Sequence, residues 1–297
     1  MNTHFLIDLG TALWLGCIGV CIGSFLNVVA YRMPLGLSVV WKPSHCPNCK
    51  HSIRGYDNVP VLGWLWLRGR CRDCREPIAP RYAIVEAVMG LAFFALAYTE
   101  LFSGGANLPG GPITHFSGAL EVVWDPQWQI IGIYMYHCTL LSLLMSLVLI
   151  GQDKQQIPLS IVLFATAMIT TCSIKFPYLY TMADTSDDHL KYLGFVKAVA
   201  GALVLSWFSW IVLAVLLVRK TSQKLFNYGA SIAIALAITG GFLGIEGTWA
   251  LLVFWVIASV VIFLKNKSIG AHTYSILIPL WPVTLVFLIF WRLCTKS

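Results

Sequence analysis

Residues 5–30 read FLIDLGTALWLGCIGVCIGSFLNVVA, an apolar run whose only charged residue is Asp8. A helix needs about 20 apolar residues to cross the hydrocarbon core of a bilayer, so this run predicts a transmembrane helix. No basic segment precedes the run and no small-residue cleavage site ends it. These two features favour a retained membrane helix over a secretory signal peptide.

The remainder of the chain is similarly apolar. Of its 297 residues, 58% are hydrophobic and only 11% are charged, and the mean hydropathy is +0.76. This composition excludes an ordinary soluble domain. Eight apolar runs are predicted to be membrane helices, at 5–30, 82–101, 128–150, 157–174, 194–218, 228–245, 248–264 and 273–292. The sequence therefore predicts an all-α polytopic membrane protein with about eight transmembrane helices.

The basic residues indicate how such a bundle is oriented. Fifteen of the twenty Lys and Arg residues fall on one side of the alternating spans, and nine of these lie in the loop 31–81. Loops rich in Lys and Arg face the cytoplasm, so we expect this loop to be cytoplasmic and both termini to be outside. The net charge of +7 is then explained without a nucleic-acid partner, because the basic residues lie in loops between apolar runs.

Two C-x-x-C pairs stand in the loop 31–81. They are Cys46-Pro-Asn-Cys49 and Cys71-Arg-Asp-Cys74, separated by twenty-one residues. Two such pairs can bring four thiolates to one tetrahedral ion and leave no open coordination position, so they predict a structural, zinc-ribbon-like Zn²⁺ site. The alternatives are two redox-labile disulfides or unpaired thiols, which a reducing cytoplasm disfavours.

Several short motifs around the cysteine pairs occur in a recognisable order. They are GSFLNVVAYRMP at 23–34, CPNC at 46–49, DNVP at 57–60, LRGRC at 67–71, CRDC at 71–74 and RYAIVE at 81–86. Together they resemble the N-terminal part of the type IV prepilin leader peptidase/N-methyltransferase family, aspartic peptidase family A24. The resemblance implies a multi-pass protein of the bacterial inner membrane that removes the leader of type IV prepilins and type II secretion pseudopilins. It also implies methylation of the new N-terminus from S-adenosylmethionine.

The resemblance suggests a division of the chain. We expect a first helix at 1–30 and a Cys₄ zinc loop at 31–81, which together form most of an N-terminal type domain at 20–100. A second helix and an outward Gly/Pro-rich loop follow at 82–127. A six-helix region at 128–297 then corresponds to the peptidase domain.

The family's peptidase chemistry needs two aspartates, one that activates water and one that protonates the departing amine. The first family aspartate stands seven residues before a proline, and counting back from Pro158 reaches Gly151. The second ends a G-x-G-D motif, which aligns with an NYGA segment ending at Ala230. No acidic residue lies between Asp188 and Glu246. The sequence thus predicts a family member that has lost leader proteolysis.

Alternatives to this prediction remain open. The chain could be an active endopeptidase that uses relocated carboxylates, with Asp153 and Asp188 as candidates, or a non-catalytic pilin-assembly factor. Glu86 and His137 are two of the ionisable residues that lie within predicted spans. We expect Glu86 to pair with a basic residue of the same boundary such as Arg81, and no partner is visible in the sequence for His137.

Overall fold

A computed structural model describes residues 3–41, 43–108, 112, 118–153, 155–175, 196–204, 223–265 and 279–295. The described residues form helices and loops, and they contain no β-strand beyond two isolated β-bridges. The all-α prediction is confirmed at this level.

Six helices are described before residue 176. They are α1 (Thr3–Arg32), α2 (Leu62–Trp66), α3 (Arg81–Leu96), α4 (Ala119–Trp124), α5 (Trp128–Gln152) and α6 (Leu159–Lys175). Helix α3 continues without a break into a π-helical turn, Ala97–Leu101. Short 3₁₀ turns lie at Met33–Leu35 and Gly55–Asp57.

Three further helical stretches follow. Residues 196–204 are helical, a long helix covers Gln223–Lys265, and a last helix covers Leu280–Thr295. The long helix contains one non-helical residue, Gly244, with φ +66° and ψ −179°. The predicted spans 228–245 and 248–264 are therefore two helical segments that meet close to Gly244.

Among the residues that the structure describes, three helices are long and apolar enough to cross a membrane: Thr3–Leu35, Arg81–Leu101 and Trp128–Gln152. They coincide with the first three predicted spans. Shorter apolar helices occupy Leu159–Lys175, Ile232–Ile245, Gly247–Ile257 and Leu280–Leu293. This composition is that of a membrane protein, and a count of eight spans stays a prediction.

Glycines let α1 and α3 pack closely. A Cβ atom on Gly19 would lie 2.7 Å from the Met89 carbonyl oxygen, and one on Gly23 would lie 2.8 Å from the Cα atom of Glu86. From the other side, a Cβ on Gly90 would lie 2.4 Å from a methyl group of Val20. Small residues at such positions allow helix backbones to approach in membranes, where van der Waals packing is a main source of association.

Helix α5 is the most buried of the three long helices, and most of its residues lie inside the protein. It contacts α1, α3, the long helix and the last helix. The indole N–H of Trp281 donates to the carbonyl of Leu141 at 2.8 Å, and the rings of Tyr136 and Phe242 stack at 4.5 Å. An all-round apolar sequence such as α5 is expected at this central position.

Candidate functional site

The four loop cysteines converge on one point. The Sγ atoms of Cys46, Cys49, Cys71 and Cys74 all lie within 4.8 Å of one another. All four thiols are free, so the disulfide alternative does not describe this structure. The distance between Sγ of Cys46 and Sγ of Cys74 is 3.7 Å. Four thiolates at about 2.3 Å around a tetrahedral Zn²⁺ ion lie about 3.8 Å apart, so the cluster has the dimensions of such a site.

The two cysteine pairs are built alike. In the first turn, the N–H of Lys50 donates to the Cys46 carbonyl at 3.0 Å. In the second, the N–H of Arg75 donates to the Cys71 carbonyl at 3.1 Å. Lys50 and Arg75 both have positive φ, 61° and 62°. Each turn is closed by an antiparallel bridge, His45 with Ser52 and Arg70 with Pro77. The C-x-x-C spacing therefore specifies two equivalent knuckles that present their thiols to a common centre.

The thiols differ in acidity. Backbone N–H groups of Cys49 and Asn48 lower the pKa of Cys46 to about 7. The backbone N–H of His51 acts to lower the pKa of Cys49, but desolvation and the neighbouring thiols raise it to about 12. Four thiolates this close repel one another strongly, so full ionisation requires a bound cation.

An ion pair braces the loop between the two knuckles. Arg72 donates to both carboxylate oxygens of Asp57, with Nε at 2.7 Å and Nη2 at 2.5 Å. The Asp57 side chain is 4% exposed, and its hydrogen bond from Arg72 lowers its pKa. The guanidinium of Arg72 also lies 5.3 Å from the centre of the Tyr56 ring. A bidentate pair of this kind fixes geometry as well as charge.

Glu86 connects the loop to the helices. Its Oε2 atom accepts a hydrogen bond of 2.6 Å from the backbone N–H of Val61, the residue before α2. Val61 has φ +61°, which is an unfavourable conformation for a β-branched residue, with a cost of about 1–3 kcal/mol. The Glu86 bond offsets part of that strain. The expectation that Glu86 pairs with Arg81 is therefore wrong, because its partner is a backbone amide 25 residues away.

Arg81 pairs instead with Asp153. Nη1 of Arg81 lies 2.5 Å from Oδ1 of Asp153, and Nη2 lies 3.0 Å from Oδ2. Asp153 is the C-terminal cap residue of α5, so the pair ties the start of α3 to the end of α5. Gly151 is buried in the last turn of α5. Ala230 falls within the long helix, and Asp188 lies outside the described residues.

His137 has a partner that sequence reasoning missed. Its Nδ1 atom lies 2.7 Å from Oε1 of Glu100, and the two side chains are 2% and 0% exposed. Glu100 lies in the π-helical turn that extends α3, and the ring of Trp291 lies 5.8 Å from the His137 ring. The only sequence signal was that each residue is an ionisable group inside an apolar run. Such groups in membrane segments usually have partners within the bundle.

The N-terminal third of the chain matches known proteins. Residues 17–100 match the family described as Bacterial Peptidase A24 N-terminal domain. A Prepilin leader peptidase/N-methyltransferase of Myxococcus xanthus is 52% identical over 84 residues, which are 28% of this chain and 25% of that protein. The protein of the same name from Klebsiella pneumoniae is 38% identical over 119 residues, covering 38% of this chain and 51% of the relative.

A third relative carries a related name. The Type 4 prepilin-like proteins leader peptide-processing enzyme of Escherichia coli is 42% identical over 106 residues, which cover 30% of this chain and 39% of the relative. The chain thus matches between 25% and 51% of the length of these three curated relatives. No solved structure matches the chain. Residues 17–100 are therefore similar to the bacterial A24 N-terminal domain and to the matching part of prepilin leader peptidases.

Proposed function

We propose that this protein recognises type IV prepilins or type II secretion pseudopilins at the bacterial inner membrane but does not cleave their leaders. The observation that carries the proposal is the contrast between the two parts of the chain. The four cysteines of the A24 N-terminal domain are all present and converge. The positions that align with the two family aspartates are Gly151 and Ala230.

The chemistry of peptide hydrolysis supports the loss of cleavage. An aspartic dyad needs one carboxylate that takes a proton from water and another that gives a proton to the leaving amine. Neither glycine nor alanine can exchange a proton. The alternative candidate Asp153 is held by two hydrogen bonds from Arg81. This pairing occupies both carboxylate oxygens of Asp153 in a contact between the start of α3 and the end of α5.

The proposed membrane arrangement follows the charge distribution. Eight spans would place both termini outside and the 31–81 loop in the cytoplasm, where leaders of prepilins are available. In this arrangement residues 20–100 form the N-terminal domain and residues 128–297 form a six-helix region. The nine basic residues of the loop support this orientation.

Zinc would be held by Cys46, Cys49, Cys71 and Cys74. The metal supplies a structural cross-link between the two knuckles when it is bound, since a Cys₄ set leaves no position for a reacting ligand. S-adenosylmethionine is the methyl donor that the N-methyltransferase name of the relatives suggests. Retained methyl transfer is the second candidate function, and a purely non-catalytic assembly factor is the third.

The deciding experiment separates the two reactions. The purified full-length protein is incubated with a prepilin peptide and S-adenosylmethionine, and peptide binding, leader release and methyl incorporation are followed independently. We expect binding without leader release. Leader release that stops in Asp153→Asn or Asp188→Asn would identify a relocated dyad, and release that persists in both would overturn our assignment of the aspartates.

A further inference from the structure

Helix α2 carries an apolar face that the protein leaves uncovered. Leu62, Leu65 and Trp66 are 52%, 55% and 49% exposed. Their spacing of i, i+3 and i+4 places them on one side of the helix. We call this set the α2 face. Large apolar side chains grouped on one surface usually mark an interaction site rather than a water-facing surface.

The opposite side of α2 is packed against the Cys₄ loop. A Cβ atom on Gly63 would lie 2.3 Å from the Asp57 carbonyl oxygen. The indole N–H of Trp64 donates to the Ile78 carbonyl at 3.0 Å, and Gly69 packs on the Trp64 ring. Because its other side is fixed in this way, α2 holds the α2 face outward in a defined direction.

The depth of α2 relative to the membrane helices is set by Glu86. Five residues of helix separate Glu86 from the start of α3 at Arg81, which is about 7.5 Å along the helix axis. Glu86 also lies against Gly23, nine residues before the end of α1. Its hydrogen bond to the N–H of Val61 therefore places the start of α2 at a level inside the apolar spans of α1 and α3.

Neighbouring side chains at this level suit a lipid boundary. Two tyrosines, Tyr31 of α1 and Tyr82 of α3, are 59% and 38% exposed, and Ile84 of α3 is 58% exposed. Exposed tyrosines are enriched where acyl chains meet headgroups. Trp66 follows the same pattern, since its side chain contributes to lowering the pKa of Asp57 while about half of the residue stays exposed. An indole with one polar contact and one free apolar side is suited to that boundary.

Two basic residues that follow α2 indicate which class of lipid would contact it. Arg68 and Arg70 follow the helix directly and are both exposed. Arginines at a membrane surface attract anionic headgroups, and apolar anchors next to them add a second source of binding.

We infer that the α2 face inserts into the boundary between headgroups and acyl chains of the bilayer, with Arg68 and Arg70 on anionic headgroups. The loop then lies flat against the membrane, and the Cys₄ site is held at a fixed height above it. This inference requires only that α1 and α3 cross the bilayer, and it does not depend on the proposed leader-peptidase relationship.

The test uses a phospholipid that carries a photoactivatable diazirine at the start of its acyl chain. The zinc-loaded full-length protein is reconstituted into phosphatidylcholine vesicles with and without phosphatidylglycerol, irradiated, and mapped by peptide mass spectrometry. Tyr31 and Ile84, which are 59% and 58% exposed at the level of this boundary, report full lipid contact. Residues 47–51 of the first knuckle report the background.

We expect labelling of residues 62–66 several-fold above that of residues 47–51, with a further increase in phosphatidylglycerol that the Arg68→Gln/Arg70→Gln variant removes. The Leu65→Ser/Trp66→Ser variant should lose the labelling while its zinc content stays unchanged. The control Ile53→Ser, an exposed apolar residue near the first knuckle, should leave labelling of α2 intact.

Labelling of residues 62–66 at the level of residues 47–51 in both lipids would overturn the inference. Labelling of residues 62–66 that is unchanged in the Leu65→Ser/Trp66→Ser variant would also overturn it. If the α2 face instead receives the apolar segment of a substrate, labelling will be at background without substrate, which is again a contradiction. The labelling pattern of the arginine variant is an independent readout should the serine variant fail to fold.

Discussion

The cysteine thiols differ in pKa before a metal binds, and this difference affects zinc binding. Near neutral pH, Cys46 with a pKa of about 7 is partly ionised, whereas Cys49 with a pKa of about 12 keeps its proton. Zinc must displace the remaining protons, so binding at pH 7.5 should release protons, and zinc affinity should fall as the pH drops through 7. Zinc titration against a competing chelator, with a pH indicator in weak buffer, measures both effects. An affinity that is constant between pH 8 and pH 6 would contradict the thiolate site.

The four cysteines also make a matched comparison possible. Cys46→Ser removes one of the converging thiols, whereas Cys17→Ser removes an exposed thiol of α1 that lies outside the cluster. We expect Cys46→Ser to lose bound zinc and thermal stability, and Cys17→Ser to change neither, because a Cys₄ site needs every ligand. Metal analysis and thermal unfolding in detergent give the two readouts. A Cys46→Ser protein with unchanged zinc content and melting temperature would refute the structural role.

The buried pair of Glu100 and His137 should stabilise the bundle. The two side chains are almost completely inaccessible, so removing one partner leaves the other buried without a hydrogen bond, at a cost of about 3 kcal/mol. Glu100→Leu and His137→Leu should each lower the free energy of unfolding, and the double variant should lose less than the sum of the two. Denaturant unfolding in detergent measures this double-mutant cycle. Two small and strictly additive losses would show that the pair has no energetic coupling.

At the residue scale, the sequence predicted contacts that depend on local spacing but did not predict contacts between distant residues. The C-x-x-C pairs were sufficient to predict the thiol cluster, because each knuckle is closed within its own turn. The partners of Arg81, Glu86 and His137 could not be predicted. Their bonds join residues 72, 25 and 37 positions apart, and they depend on the strained Val61 turn and on the π-helical turn of α3.

Among the helices, the contact between α1 and α3 gives the clearest prediction. A Cβ on Gly19 would lie 2.8 Å from the Phe93 ring and 2.7 Å from a backbone oxygen, whereas one on Gly10 meets nothing within 4 Å. Gly19→Val should therefore lower stability by about 2 kcal/mol through overpacking. Gly10→Val is the matched control, since both changes add the same side chain to the same helix. Thermal unfolding of the two variants checks the difference, and equal melting temperatures would contradict the close approach of α1 and α3.

The elements that the sequence predicts best are the long apolar ones. Helices α1, α3 and α5 match the runs 5–30, 82–101 and 128–150 to within a few residues, because run length and composition alone specify a membrane helix. The short helices α2 and α4 have no such signal. Helix α2 is fixed by packing of Gly63 and Trp64 on the loop, and α4 begins where the carboxylate of Asp8 accepts the Ala119 N–H at 2.6 Å.

For the whole molecule, the part of the chain that matches known proteins is also the part that contains the cysteine cluster. The family match covers residues 17–100, and the cysteine cluster lies entirely inside it. Gly151 and Ala230 lie beyond it, in the part that we propose has lost proteolysis. The Arg81–Asp153 pair joins the two parts, so the carboxylate two residues after Gly151 stabilises the packing of α3 on α5. That role could not be assigned from sequence order, because Arg81 and Asp153 lie in different predicted loops, 72 residues apart.

The most direct test of the central proposal is the release of a prepilin leader by the zinc-loaded, full-length protein, measured by mass spectrometry beside an active leader peptidase. General acid and general base each contribute about 10²–10⁴-fold to such a reaction. A protein without the dyad should therefore release no leader above the buffer control under conditions in which the active enzyme completes cleavage. Release of the leader by this protein at a rate comparable with that enzyme would contradict the account.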